Sequence, residues 1–445
     1  MLLLISGCGG GGSDSSSDAD ISDPIPAALP VTAEEPAISN GSLPLLVIRL
    51  AYSDRSFVND AATWHDKIFG ETPHQLNDYY LEVSNGNFRF IPAEEGQGSA
   101  DDGVITVTLD KPHPDPDDSR LMRSDLAAAL AAADPYIDYS IYDRNGNGGI
   151  SFDEMQIMFI VAGYEDAYSG GSSAPGVWAH SYCLSSSGAP RADGVSLLEC
   201  TYAGRYALFG ERHGNHDATI GIIAHELGHS AFMLPDLYDT DGSSSGIGYF
   251  GLMAMGSWGT SHYDSLTGET PTHFSAWSKL RNGWVTPVNL AITPSEGVSV
   301  SLYQSSSIAS NIIKIPISEN EYFLLENRDN GGYDRGLDKL GGTFDGGLAL
   351  WHIDETVIAS RSATNSVNTN ETRKGVDLEE AARVQLDSGS GNGHERNLYY
   401  AGNVADFTPT TDPDSDSYTG SGSGIYIEGI SDRGAIMYAT IINPN

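Results

Sequence analysis

His225-Glu226-Leu227-Gly228-His229 sets two imidazoles four positions apart with a carboxylate between them. On an α-helix those histidines lie one turn apart on one face, so both rings can reach one metal ion. Imidazole nitrogens suit Zn2+, which in catalytic sites takes three protein ligands and keeps one position open. Glu226 would stand beside that position as general base. It would take a proton from water on the metal and pass it to a leaving amine, while the metal polarises the scissile carbonyl. The predicted chemistry is hydrolysis of peptide bonds.

A third ligand is needed. Downstream run Leu234-Pro235-Asp236-Leu237-Tyr238-Asp239, where Pro235 is expected to end the helix and let the chain fold back. Asp236 is the first candidate ligand and Asp239 the second; either could equally be a surface or capping carboxylate. Met253 and Met255 lie near a tight turn before Trp258 and, read alone, are core packing. Tyr238, Tyr249, His262, Tyr263 and His273 could each stabilise a developing oxyanion, and spacing does not choose among them.

A second pattern binds oxygen-seeking cations. Residues 143–154 fit the twelve-residue calcium loop of EF-hands, with side-chain oxygens at Asp143, Asn145, Asn147, Ser151 and Glu154. Gly148 takes the sixth place, Ile150 the apolar eighth, and Gly149 would offer its carbonyl. With one such loop, a structural Ca2+ is expected and not a calcium switch.

These groups need elements to hold them. Residues 45–51 and 155–162 are nearly continuous apolar runs and read as buried strands; 87–91 alternates as a strand does. Residues 76–83, 121–133 and 217–230 read as helices, the last carrying the two histidines. Beyond Pro287 short β-rich runs dominate, at 298–302, 312–315, 322–325, 348–353 and 425–427, with Gly- and Asp-rich turns between many of them.

The chain has 445 residues, enough for two or three domains, and 40% of them are hydrophobic. A net charge of −37 would repel phosphates and excludes nucleic acid as a partner class. It fits a very soluble exported protein that holds divalent cations. No apolar run is long enough to span a bilayer. Residues 1–8, ending Ile5-Ser6-Gly7-Cys8, read as the end of a lipoprotein signal with Cys8 lipidated, the one predicted membrane attachment. Residues 9–42 read as a flexible Gly/Ser/Asp-rich tether. Cys183 and Cys200 lie close in sequence around a loop-like stretch, and in an oxidising compartment they are expected to form a disulfide.

The stretch from His225 to Asp239, with the turn from Met253 to Trp258, resembles the immune inhibitor A family of secreted bacterial zinc metallopeptidases. The likeness continues through Phe274-Ser275-Ala276-Trp277-Ser278-Lys279, Leu325-Glu326-Asn327-Arg328 and Leu350-Trp351-His352-Ile353-Asp354. On that resemblance Asp236 is the third zinc ligand and Met253 the methionine of the turn beneath the metal. His352 and Asp354 are read as packing or turn residues. The family pattern has glycine three residues after the second histidine and aspartate at the sixth. Here Phe232 holds the glycine position and Asp236 falls at the seventh.

The expectation is an α+β protein: a zincin-like metallopeptidase domain over 43–287, then a β-sandwich-like C-terminal domain over 288–445. It would be an extracytoplasmic endopeptidase, secreted or a lipoprotein at the cell surface or outer membrane, acting on proteins or peptides with Zn2+ and Ca2+. The alternative is a catalytically silent zincin-fold module for surface binding or adhesion. A glycan- or protein-binding role for the C-terminal region has no specific residue behind it.

Overall fold

A computed structural model of the chain describes residues 41–382 and 385–444. Residues 1–8, Cys8 among them, and nearly all of the stretch read as a tether lie outside the described residues. The first strand opens at Gly41, two residues inside that stretch. The chain is mixed α and β and divides into two compact units.

The first unit comprises Ser42–Gly70 and Arg89–Met233. Its eight-stranded sheet runs in the order His216–Asp217, Tyr206–His213, Gln156–Glu165, Gly41–Tyr52, Phe88–Pro92 along its main path, with Val104–Leu109 also paired to Gly41–Tyr52. The Gly41–Tyr52 strand pairs in parallel with Gln156–Glu165, which in turn pairs in parallel with Tyr206–His213. Parallel strands covered on both faces cannot alternate polar with apolar, which is why 45–51 and 155–162 are apolar almost without a break. Leu46, Ile48 and Leu50 share a core with Ile105, Leu126, Leu130, Phe159 and Leu208. The expected helix at 121–133 forms as Arg123–Ala133, with a 3-10 turn on either side, the second containing Pro135. Cys183 and Cys200 are joined by a disulfide, with their Cα atoms 5.1 Å apart.

The second unit comprises Glu71–Phe88 and the chain from Leu234 onward. The helix Leu76–Val83 forms over the expected residues. Its Tyr79 and Tyr80 meet Phe274 and Trp284 in an aromatic cluster. A five-stranded sheet runs Val288–Asn289, Ile313–Pro316, Glu321–Arg328, Gly347–Asp354, Val376–Leu378; a three-stranded sheet runs Val298–Tyr303, Ile436–Ile442, Tyr426–Glu428. Leu302, Met437 and Ile441 from the smaller sheet share one core with Ile315, Phe323, Leu325 and Leu350 from the larger.

The family-like residues of this unit carry buried charge. Arg328 grips Asp334 through two hydrogen bonds, Lys279 donates to Glu326 at 2.6 Å, and His273 meets Glu82 at 2.8 Å. Removing one member of such a network strands the others in low dielectric, at a cost of about 3–5 kcal/mol. Asp354 caps the helix Glu355–Arg361 and bonds Arg373, and His352 lies between Glu321 and Glu379. No helix among the described residues is long and apolar enough to cross a membrane.

Candidate metal centre

The two-histidine motif sits on the helix Ile220–Phe232, which packs on the strand Tyr206–His213. It starts three residues later than the spacing predicts, because Asp217 pairs with Arg212 in a short hairpin and Thr219 takes the N-cap position. Nearly every residue of the helix is buried, so His225 and Glu226, at 2% and 1% exposure, are enclosed. Helical spacing brings the Nε2 atoms of His225 and His229 to 3.1 Å, with the rings nearly perpendicular.

The helix does not run on to Pro235. It ends at Phe232, and Met233 adopts the left-handed conformation (φ 56°), its N–H bonding to the His229 carbonyl at 3.2 Å. The chain then reverses, and Pro235 follows where it can no longer disturb the helix. A ligand atom from each of His225, His229 and Asp236 lies within 4.8 Å of the other two.

Asp236 is held on its Oδ2 side. Tyr238 donates its hydroxyl to that oxygen at 2.9 Å, and the Asn365 side-chain amide donates to it as well. Asn365 also accepts from the Asp236 N–H at 2.8 Å, and Asn368 donates to the Leu237 carbonyl at 2.9 Å. The Leu237 N–H bonds to the carbonyl of buried Met253 at 2.7 Å, tying the methionine turn to the residue after the carboxylate.

Two nitrogens bound to one tetrahedral Zn2+ at about 2.0–2.1 Å stand roughly 3.3 Å apart. The observed 3.1 Å is close to that, and two imidazoles with one buried carboxylate are a suitable donor set. The residues present therefore fit a zinc ion.

Asp239 has another task. Its carboxylate accepts from the N–H groups of Asp241 and Ser244 and from the Ser243 hydroxyl. Those bonds pull its pKa down against the opposing effect of burial. Of the candidate oxyanion stabilisers, His273 belongs to the buried ion network and His262 bonds Asp338 at 2.7 Å. Tyr263 is 76% exposed and Tyr249 is largely enclosed; Tyr238 bonds directly to a residue of the metal group. Asn365 and Asn368 carried no local signal in the sequence, since they lie about 130 residues from their partners.

The 143–154 loop is wound on its own side-chain oxygens. Asp143 accepts from the N–H groups of Asn147 and Gly148, Asn145 from Asn147, and Asn147 from Gly149. Glu154 accepts from the Asn145 N–H at 3.0 Å and from the Ser151 N–H and hydroxyl at 3.0 and 2.8 Å. The segment pairs with Ser196, through Ile150 N–H to Ser196 O and Ser196 N–H to Gly148 O.

The family model of the immune inhibitor A peptidase M6 catalytic domain matches residues 60–285, just over half of the chain. The chain belongs to this family. Its relatives include pre-pro-metalloprotease PrtV of Vibrio cholerae serotype O1, 30% identical over 236 residues, a match covering 44% of this chain and 24% of that protein. Immune inhibitor A of Bacillus thuringiensis subsp. alesti is 25% identical over 279 residues, covering 55% of this chain and 39% of that one. The chain thus spans well under half the length of either relative. Among solved structures, wild-type OgpA from Akkermansia muciniphila covers 68% of this chain and 75% of its own at 15% identity and a TM-score of 0.30, too slight a likeness to inform the fold.

Proposed function

We propose that the chain is an exported zinc-dependent endopeptidase with Glu226 as general base and His225, His229 and Asp236 as the metal ligands. The observation that carries this reading is the convergence of those three side chains on the helix that bears buried Glu226. A bound zinc ion would supply Lewis acidity, acidifying a water and polarising the substrate carbonyl. Glu226 accepts the proton of the attacking water and delivers it to the leaving nitrogen. Tyr238 and Asn365 orient Asp236, and the methionine turn supports the backbone beside it. The substrates are proteins or peptides, in keeping with family membership.

The catalytic zincin-like domain spans 43–287, within which the family match falls, and 288–445 is a β-sandwich-like domain in which two sheets share a core. The 143–154 loop would hold a structural Ca2+ through Asp143, Asn145, Asn147, the Gly149 carbonyl, Ser151 and Glu154. The loop offers hard oxygen donors alone, as calcium requires. The disulfide supports an oxidising, extracytoplasmic setting, with attachment to the membrane through lipid on Cys8.

The test measures zinc content and casein hydrolysis of the wild type and Glu226→Ala. We expect equal zinc and a loss of rate of roughly 10²–10⁴-fold in the variant. Equal activity in the two proteins overturns the mechanism, and zinc without hydrolysis in either favours a silent binding module.

A further inference from the structure

We infer that His74, Asp264 and Glu269 form a second site for a divalent transition-metal ion, separate from the motif helix. One ligand atom of each lies within 4.8 Å of the other two, and His74 Nε2 stands 3.6 Å from Asp264 Oδ1.

The surroundings prepare each group as a ligand. Asp264 spends Oδ2 on the Ser261 N–H at 2.8 Å, while Oδ1 faces the imidazole beyond hydrogen-bond reach. Glu269 receives the N–H groups of Ser265 and Leu266 on Oε2 alone. His74 is set by a left-handed backbone (φ 70°) and by its N–H, which bonds to the Tyr333 hydroxyl at 3.2 Å. Bonds of this kind fix a ligand's orientation before the metal arrives.

Charge points the same way. The Asp264 side chain is only 2% exposed, and no lysine or arginine among the described residues pairs with it or with Glu269. Two carboxylates held this close to one another repel unless a cation lies between them. A divalent ion held between His74 and the two carboxylates would cancel both charges. One imidazole nitrogen with two carboxylate oxygens suits zinc and its neighbours, whereas calcium takes oxygen donors. The His74 side chain is 46% exposed, so the ion would load from solution and keep water in its remaining positions. Once bound, it would tie the turn at 72–75 to the turn at 261–269, which carries His262 and Tyr263.

The site is tested by calorimetric titration of Zn2+ into the full chain with saturating Ca2+, in a Glu226→Ala background that prevents self-digestion. We expect two zinc equivalents there, and one after adding His74→Ala or Glu269→Gln, with circular dichroism confirming the fold. His225→Ala should remove the other equivalent and leave this one, so the two sites fail separately. Zinc binding that is the same with and without His74→Ala overturns the proposal, as does a single equivalent that only His225→Ala abolishes.

Discussion

Tyr238 donates its hydroxyl to Oδ2 of Asp236 at 2.9 Å, and Asn365 reaches the same oxygen from more than a hundred residues away. The carboxylate is thereby aimed by groups that do not themselves belong to the His-His-Asp cluster. Losing such a partner commonly weakens metal affinity by about 10–100-fold. Tyr238→Phe should do so in chelator competition while leaving the fold intact. If affinity holds and kcat alone falls, the hydroxyl instead serves the transition state.

The 143–154 loop should make stability depend on calcium. At a hundredfold excess over its dissociation constant, a ligand of the folded state contributes about 2.7 kcal/mol. Millimolar Ca2+ should therefore raise the melting temperature of the wild type by several degrees and leave Glu154→Gln unmoved. An equal rise in both would remove calcium from this loop.

The disulfide bears on the same loop. Cys183 and Cys200 are 17 residues apart and close the segment containing Ser196, whose backbone pairs with Gly148 and Ile150. Closing a loop of that length is worth about 3 kcal/mol through the unfolded chain. The paired Cys→Ser variant should unfold at lower denaturant and also bind calcium more weakly. Unchanged calcium affinity would show that the Ser196 pairing survives without the bridge.

His352 should make stability fall in alkali. Burial alone would depress its pKa, but the hydrogen bonds its ring donates to Glu321 and Glu379 outweigh that and raise it to about 9. A group protonated more tightly in the folded state stabilises fully below its unfolded pKa, near 6.5, and loses that contribution as pH rises through 9. The loss is on the order of 3 kcal/mol. Urea midpoints at pH 6 and pH 9.5 should differ for the wild type and differ much less for His352→Gln.

Local sequence was a good guide wherever one face or one spacing decides the structure. The apolar run at 45–51, the helix at 76–83 and the histidine pair all formed as their periodicity predicts. The strand Tyr206–His213 is hard to read from sequence because Gly210 and Glu211 interrupt its apolar run; Glu211 is buried there and accepts from the Val58 N–H. Asn365 was invisible for another reason. An amide that bonds a carboxylate across more than a hundred positions leaves no periodic trace near either partner. For Asp239 the sequence left ligand and capping carboxylate open, since a carboxylate serves both ends with the same atoms; its oxygens accept from the Asp241 and Ser244 N–H groups.

Met233 alters how the departure from the family pattern should be counted. Measured from His229, this chain places its aspartate one residue late. Measured from the left-handed residue, Asp236 comes third, the same interval that separates glycine from aspartate in the family pattern. The additional residue is thus absorbed by the helix as Phe232, and the reversal and the carboxylate travel together as one cassette. On this accounting an indel between histidine and turn is a tolerated length variant, whereas one between Met233 and Asp236 would uncouple the carboxylate from the reversal.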